Sequence, residues 1–483
     1  MTFKIKRSLL AASVAAAIVA PVTGFATNGM NLEGYGPIAT GMGGASMAYD
    51  NGVAAVMNNP ATLGLMEDGE GRFDIAIGSL DPDITSTHTA IPGSDTPSSA
   101  GPFYMPAVGY ATRSGQLTYG VGMSAQGGMG TEYGATSFLA AGTNEEVRSE
   151  VGVGRLVAPI VYSVDKNLTV GGSIDYVWAG MDLKMAMSGA QFFDFVSTQQ
   201  GGTASGSLVA TFGGMMGAGV ADQATGIVSG NFDLYNTRFD FSNDNDFTGE
   251  ATGNGFAGKI GFTYSVNKNL TVGGTYHTET SLGDLEASGM SISMGGDFSG
   301  VGGPAGYSEV SVSGKISVND FQWPSTFGFG AAYQQDKWMV AADVKVIQWS
   351  DVMDSFRMTF TADATQTGMA AGFAGQVLDV EMYQNWDDQT VIQIGGAYKV
   401  SADTTLRVGL NTSSNPVPDD YVNPLFPATV EDHYTLGFGY AVSKMSGIDF
   451  SLTIAPEVEV TGASGVTTTH SQTNWQFMYS QKF

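Results

Sequence analysis

The chain has no cysteine. Disulfides therefore add nothing to its stability, and cysteine nucleophiles or cysteine-held metals are excluded. Basic residues are scarce, with 20 Lys and Arg against 46 Asp and Glu. A surface so acidic repels phosphate backbones, so nucleic acid is not a partner. After the first 26 residues no apolar run approaches the roughly 20 residues that a membrane-crossing helix needs. Helical spans are excluded, but crossing by strands is not, because such strands alternate instead of running apolar. Only four histidines are present. His277 has no Ser or Asp at catalytic spacing, and no cluster suggests a bound metal. The glycine clusters at Gly41–Gly44 and Gly300–Gly306 lack the Lys-Ser/Thr ending of a phosphate-binding loop, so no nucleotide or other cofactor is expected.

Glycine (67 residues) and aromatics (27 Phe, 19 Tyr, 6 Trp) are abundant instead. The final segment shows how they are used. Trp475, Phe477, Tyr479 and Phe483 share one parity, and Gln476, Ser480 and Lys482 share the other. A period of two with one aromatic face describes a strand between lipid and water. A terminal strand ending on an aromatic is also similar to the insertion signal of bacterial outer-membrane barrels. At the other end, Lys4, Lys6 and Arg7 precede an apolar run from Leu9 to Val22, then Gly24-Phe25-Ala26. That pattern is a secretory signal covering residues 1–26, too short and wrongly flanked for an anchor. Its removal takes three of the 20 basic residues and none of the 46 acids, leaving 17 against 46. Many acids fall in expected loops, Asp240 to Glu250 and Asp379 to Asp388, where divalent cations can bridge them to lipopolysaccharide. The expected location is the bacterial outer membrane, with one chain as the working unit.

Hairpins can be read along the chain. Ser163-Val-Asp-Lys-Asn-Leu-Thr-Val-Gly-Gly-Ser173 and Ser265-Val-Asn-Lys-Asn-Leu-Thr-Val-Gly-Gly-Thr275 repeat one plan of strand, polar turn and strand. Leu168, Val170, Ile174, Tyr176 and Trp178 share one face, while Thr169, Ser173 and Asp175 share the other, as a sheet with one apolar side requires. Similar turns fall at Arg113–Gln116, Asp165–Asn167, Asn267–Asn269, Gln335–Lys337, Ser401–Thr404 and Ser443–Gly447. Six turns give twelve strands. An opening strand at Phe73–Ser79 and the closing strand at Trp475–Phe483 make fourteen. The fold expected over residues 72–483 is an all-β transmembrane barrel of about 14 antiparallel strands, with short turns on the periplasmic rim and long loops outside. The longest connection runs from about Ala186 to Gly253.

Residues 27–71 fit no strand. They carry a predicted short helix from Ala45 to Val56, stopped near Pro60. A fourteen-strand lumen is wider than side chains fill, and this segment is the spare material that can occupy it. Asn28-Gly-Met-Asn-Leu, Gly41-Met-Gly-Gly-Ala-Ser-Met-Ala-Tyr-Asp50 and Asn58-Asn59-Pro60-Ala61-Thr62-Leu63 resemble the N-terminus of the FadL family, outer-membrane transporters of long-chain fatty acids and related hydrophobic compounds. The resemblance implies an N-terminal hatch, here marked by Asn59, Pro60 and Ala61. It also implies ligand capture by extracellular loops, a pocket near the hatch, and sideways release where a strand is kinked. Gly127, Gly128 and Gly130, at the end of the third strand, are the kink candidates.

Three further groups bear on cargo. Phe192, Phe193, Phe195, Phe212, Met215 and Met216 make the longest loop unusually apolar, as a capture site for a hydrophobic ligand would be. Arg155, Lys259 and Lys345 fall on the lumen side by parity and are candidate partners for a fatty carboxylate, although Asp175 and Asp343 share that side and cross-strand pairing competes. The sequence therefore points to a non-enzymatic carrier of fatty acids. Uptake of aromatic hydrocarbons by the same fold is the alternative. A general diffusion porin is disfavoured by the N-terminal segment, and a lipid hydrolase by the lack of a Ser/His or Asp/His setting.

Overall fold

The computed structural model describes residues 28–197, 201–245 and 248–483; the expected signal, residues 1–26, lies outside them. Fourteen strands close a ring. They are β1 (Gly71–His88), β2 (Phe103–Ser114), β3 (Leu117–Tyr133), β4 (Val147–Ser163), β5 (Leu168–Ser188), β6 (Ala251–Ser265), β7 (Leu270–His277), β8 (Thr326–Gln335), β9 (Trp338–Ile347), β10 (Gln389–Lys399), β11 (Thr404–Ser413), β12 (Asp432–Ala441), β13 (Ser446–Thr461) and β14 (Val466–Lys482). Each pairs antiparallel with the next. The ring closes where β14 pairs with β1, from Arg72↔Lys482 to His88↔Val466.

All six expected tight turns join ring strands. The two end strands run further than their apolar alternation indicated. Thr85 to Thr87 of β1 pairs with Thr467 to Thr469 of β14, and threonines on both parities leave no periodic signal to read.

The outward face is apolar. Ile160, Ile174, Phe256 and Ile260 are 60–70% exposed, which only a lipid environment makes favourable. Tyr119, Tyr162, Tyr264, Tyr333, Trp338 and Tyr440 are exposed next to the tight turns and form the aromatic girdle of one membrane interface.

The long connections form a second layer. The far end of β5 pairs with Asp233–Phe241, and the ladder continues through Leu285–Asp297, Ser308–Asn319, Ser355–Ala362 and Val377–Tyr383 to Gly202–Ser205. Its buried face carries Phe239, Ile292, Val312, Phe360 and Leu378. The connection read as loop from Ala186 to Gly253 therefore contains strands and two helices, Gly189–Ser197 and Ser207–Met216.

Residues 28–70 are largely buried and bond to strands all round the ring. Gly43 donates its amide to Thr435 of β12 (3.0 Å), Ser46 to Asp343 of β9 (2.5 Å) and Val53 to Asp74 of β1 (2.7 Å). Gln393 of β10 donates to the carbonyl of Glu33 (2.9 Å), and Thr453 of β13 to its carboxylate (2.7 Å). The repeated Gly-Gly pairs now acquire a purpose. A Cβ at Gly273 would lie 2.0 Å from the carbonyl of Met47, and one at Gly171 3.2 Å from Ala61. The two corresponding glycines of the repeat let the N-terminal segment approach the strands.

The helix expected from Ala45 to Val56 is not formed. Only Val53–Val56 makes a short 3-10 turn, and a separate α turn covers Pro37–Thr40. The Ser46 and Met47 amides bond to the Asp343 carboxylate instead of to helix carbonyls. Pro60 opens a 3-10 helix, Pro60–Leu65, rather than stopping one, because a proline costs no hydrogen bond at the first helical position.

Candidate functional site

The N-terminal segment partitions the lumen. Met30, Asn31 and Leu32 are consecutive, yet they contribute to the walls of three different cavities. Met30 helps to wall an outer cavity with Met181, Phe321, Phe356, Trp386 and Phe426. Leu32 walls an inner cavity with Val53, Met57, Met105, Met123 and Met478. Among the described residues, neither wall contains Lys or Arg. Asn31 borders a third, more polar cavity with Asn58, His277 and Lys345, and Leu32 and Tyr35 border both inner spaces.

A buried polar knot sits at this junction. The Asn31 Oδ1 accepts from Trp323 Nε1 (2.9 Å) and Gln126 Nε2 (2.8 Å), and the Tyr35 hydroxyl donates to the Gln126 carbonyl (2.7 Å). Burial pushes the Tyr35 phenol well above its ordinary range, so it remains a neutral donor. Trp323 and Trp349 pack edge to face at 5.6 Å, as do Trp349 and Trp386 at 5.3 Å. These tryptophans were not singled out from the sequence. Half of the six tryptophans lie between ring strands rather than in them, which was the available signal.

The glycine-rich end of β3 bends at this point. The β3–β4 register shifts between Ala125 and Gly127. Gly127 bridges to Asn31, and Gly128 donates its amide to Met30 (3.1 Å). A Cβ at Gly127 would lie 2.0 Å from the Met30 carbonyl. Gly130 remains in register, opposite Glu150. The β2–β3 ladder starts at Ala107↔Ser124, so Phe103–Pro106 pairs with β1 alone. Above it, Ser99 donates to the Glu132 carbonyl (2.8 Å). A seam thus lies between β2 and β3 beside the inner cavity, whose wall includes Met105 and Ser124.

The other sequence candidates are placed as follows. Asn59 donates to the carbonyls of Met47 (2.8 Å) and Phe262 of β6 (3.0 Å), and its Oδ1 caps the amide of Ala61 behind Pro60. Arg155 and Lys259 both pair with the buried Asp175, Arg155 at 3.0 Å. Lys345 has no hydrogen bond or ion pair among the described residues and borders the polar cavity. Phe192, Phe195, Phe212 and Met216 are buried, with Phe193 and Met215 packed beside them. Phe192, Phe212, Phe232 and Phe298 form a continuous ring-to-ring chain with steps of 5.0–5.7 Å. None of the six loop residues lines the cavities described above. The structure brings them together as the core of the outer layer, held there by their mutual burial.

A closed barrel with a lipid-facing apolar band and largely apolar lumenal cavities parted by its own N-terminal segment is an outer-membrane channel for hydrophobic compounds. The model of the family described as Outer membrane protein transport protein (OMPP1/FadL/TodX) matches residues 13–482, and this chain belongs to that family. The crystal structure of the Pseudomonas putida toluene transporter TodX is similar, at 29% identity and TM-score 0.77, with 94% of this chain and 99% of that one covered. The Ralstonia pickettii toluene transporter TbuX is similar at 30% identity and TM-score 0.70, with the same coverage. An uncharacterized Chlorobium limicola protein, from the 5' region of a phosphoenolpyruvate carboxykinase gene, is 45% identical over 87 residues, which is 18% of this chain and 43% of that protein.

Proposed function

We propose that this protein admits small neutral hydrophobic molecules, monoaromatic hydrocarbons foremost, through the outer membrane. Cargo enters the outer cavity, passes the Asn31 junction when the N-terminal segment yields, and reaches the inner cavity. It leaves sideways through the β2–β3 seam into the bilayer. The N-terminal segment acts as the hatch, and Gly127 permits the bend that makes the seam. No energy source is required, because each step moves apolar surface between apolar surroundings and away from water.

One observation carries this reading: two cavities walled mainly by apolar side chains have no Lys or Arg among the described residues of either wall. A fatty carboxylate entering such a space would lack a partner at considerable cost. The likeness to two toluene transporters supports the same choice. The fatty-acid reading retains one support, Lys345, the one of the three candidate cations with no salt bridge or hydrogen bond among the described residues, Asp343 acting on it only at longer range. Uptake assays on proteoliposomes separate the two. Toluene entry should exceed that of empty liposomes and be unaffected by excess oleate. Entry of oleate but not toluene would reverse the assignment.

A further inference from the structure

The outer cavity is not apolar throughout. Trp386 is 3% exposed and lines it, yet its indole N–H has no hydrogen-bond acceptor among the described residues. Its near neighbour is Trp349, edge to face at 5.3 Å. Buried indole N–H groups usually find an acceptor, and leaving one unmade is unfavourable. Two residues away on the same connection, Gln384 also lines the cavity and is 6% exposed, and its side-chain amide makes no hydrogen bond among the described residues. Asn423 lies on the wall too. Its Oδ1 accepts from the Leu425 amide (2.9 Å), while its Nδ2 has no acceptor among the described residues. One unsatisfied buried donor, the Trp386 indole, and two amides free to donate thus line a cavity otherwise built of Met, Phe and Val. An apolar pocket with a few convergent polar groups is the general form of a site that orients its ligand.

We infer that the outer cavity recognises a neutral aromatic bearing a hydrogen-bond acceptor oxygen, such as an aryl ketone or ether, through Trp386 and Gln384. The inference rests on the proposed function, because it takes this cavity to be the cargo's first lumenal site. The ring packs against Phe321, Phe356 and Met181, and the oxygen accepts from the donors on the opposite edge. A plain hydrocarbon in the same cavity would leave those donors without an acceptor.

The test compares acetophenone with α-methylstyrene, in which a methylene replaces the ketone oxygen, by equilibrium dialysis on the purified full-length barrel in detergent. Trp386→Phe should weaken acetophenone binding on the order of three- to tenfold, the worth of one hydrogen bond, and leave α-methylstyrene unchanged. Gln384→Leu is the second variant, should loss of the indole impair folding, and it should show the same selective effect. Equal loss for both ligands would mean lost packing and would overturn the inference, as would no loss for either. Those outcomes leave the hydrocarbon reading standing. Failure of the wild-type protein to bind either ligand would remove both the inference and the proposed function.

Discussion

Replacing Asn31 with Ala should open the channel. Its Oδ1 accepts from Trp323 Nε1 at 2.9 Å and from Gln126 Nε2 at 2.8 Å. Both donors belong to buried residues, but Gln126 Nε2 keeps the Tyr35 hydroxyl as a partner at 2.9 Å, so the variant leaves the Trp323 indole N–H unpaired at the partition. That costs about 1–3 kcal/mol. Since about 1.4 kcal/mol is tenfold in an equilibrium, the closed arrangement would lose a factor of about 5 to 140 relative to any arrangement in which water reaches this group. Single-channel recording in planar bilayers should therefore show openings that the wild type lacks, and toluene entry into proteoliposomes should accelerate. Asn31→Asp keeps an acceptor oxygen and should stay close to wild type. If folded Asn31→Ala protein matches wild type in both assays, the knot does not hold the partition.

Deleting Asn28–Leu63 should turn an electrically silent barrel into a strongly conducting one, read as conductance in the same bilayers; an intact protein that already conducts like an open porin would refute the hatch. Phe212→Ala should cost about 3–5 kcal/mol of stability, seen as a lower Tm, because Phe212 bridges Phe192 and Phe232; toluene affinity should hold, and a selective loss of affinity at unchanged Tm would favour these aromatics as the capture site. Lys345→Met should leave toluene entry unchanged and weaken binding of a fatty acid, measured by titration against its alcohol; equal effects on both would remove the last support for a carboxylate site.

Much of the barrel was legible because its signals are local. An alternating strand and a polar turn lie within a dozen residues, so the six tight turns and the outward aromatic faces could be read directly. The same locality explains the failures. Nothing near Ser46 says that its amide meets Asp343, some 300 residues on, and the helical tendency of Ala45–Val56 loses to that contact. Parity placed Arg155, Lys259 and Asp175 on one face, and cross-strand pairing joined them. It could not say that one carboxylate would take both cations while Lys345 kept only the longer-range field of Asp343. The loop aromatics were apparent by composition, but burial among themselves depends on a ladder assembled from three separate connections. The outer cavity was illegible for the same reason. Met30, Met181, Phe321, Trp386 and Phe426 come from five distant places in the chain, and only the closed ring brings them together.

The central claim is that apolar cargo occupies two cavities in series on either side of Asn31. Anomalous diffraction from crystals of the intact protein soaked in 4-bromotoluene tests it most directly. Bromine peaks are predicted between Phe321 and Phe356 in the outer cavity and between Met105 and Met123 behind the β2–β3 seam. Peaks confined to the lipid-facing girdle, with both cavities empty, would contradict it.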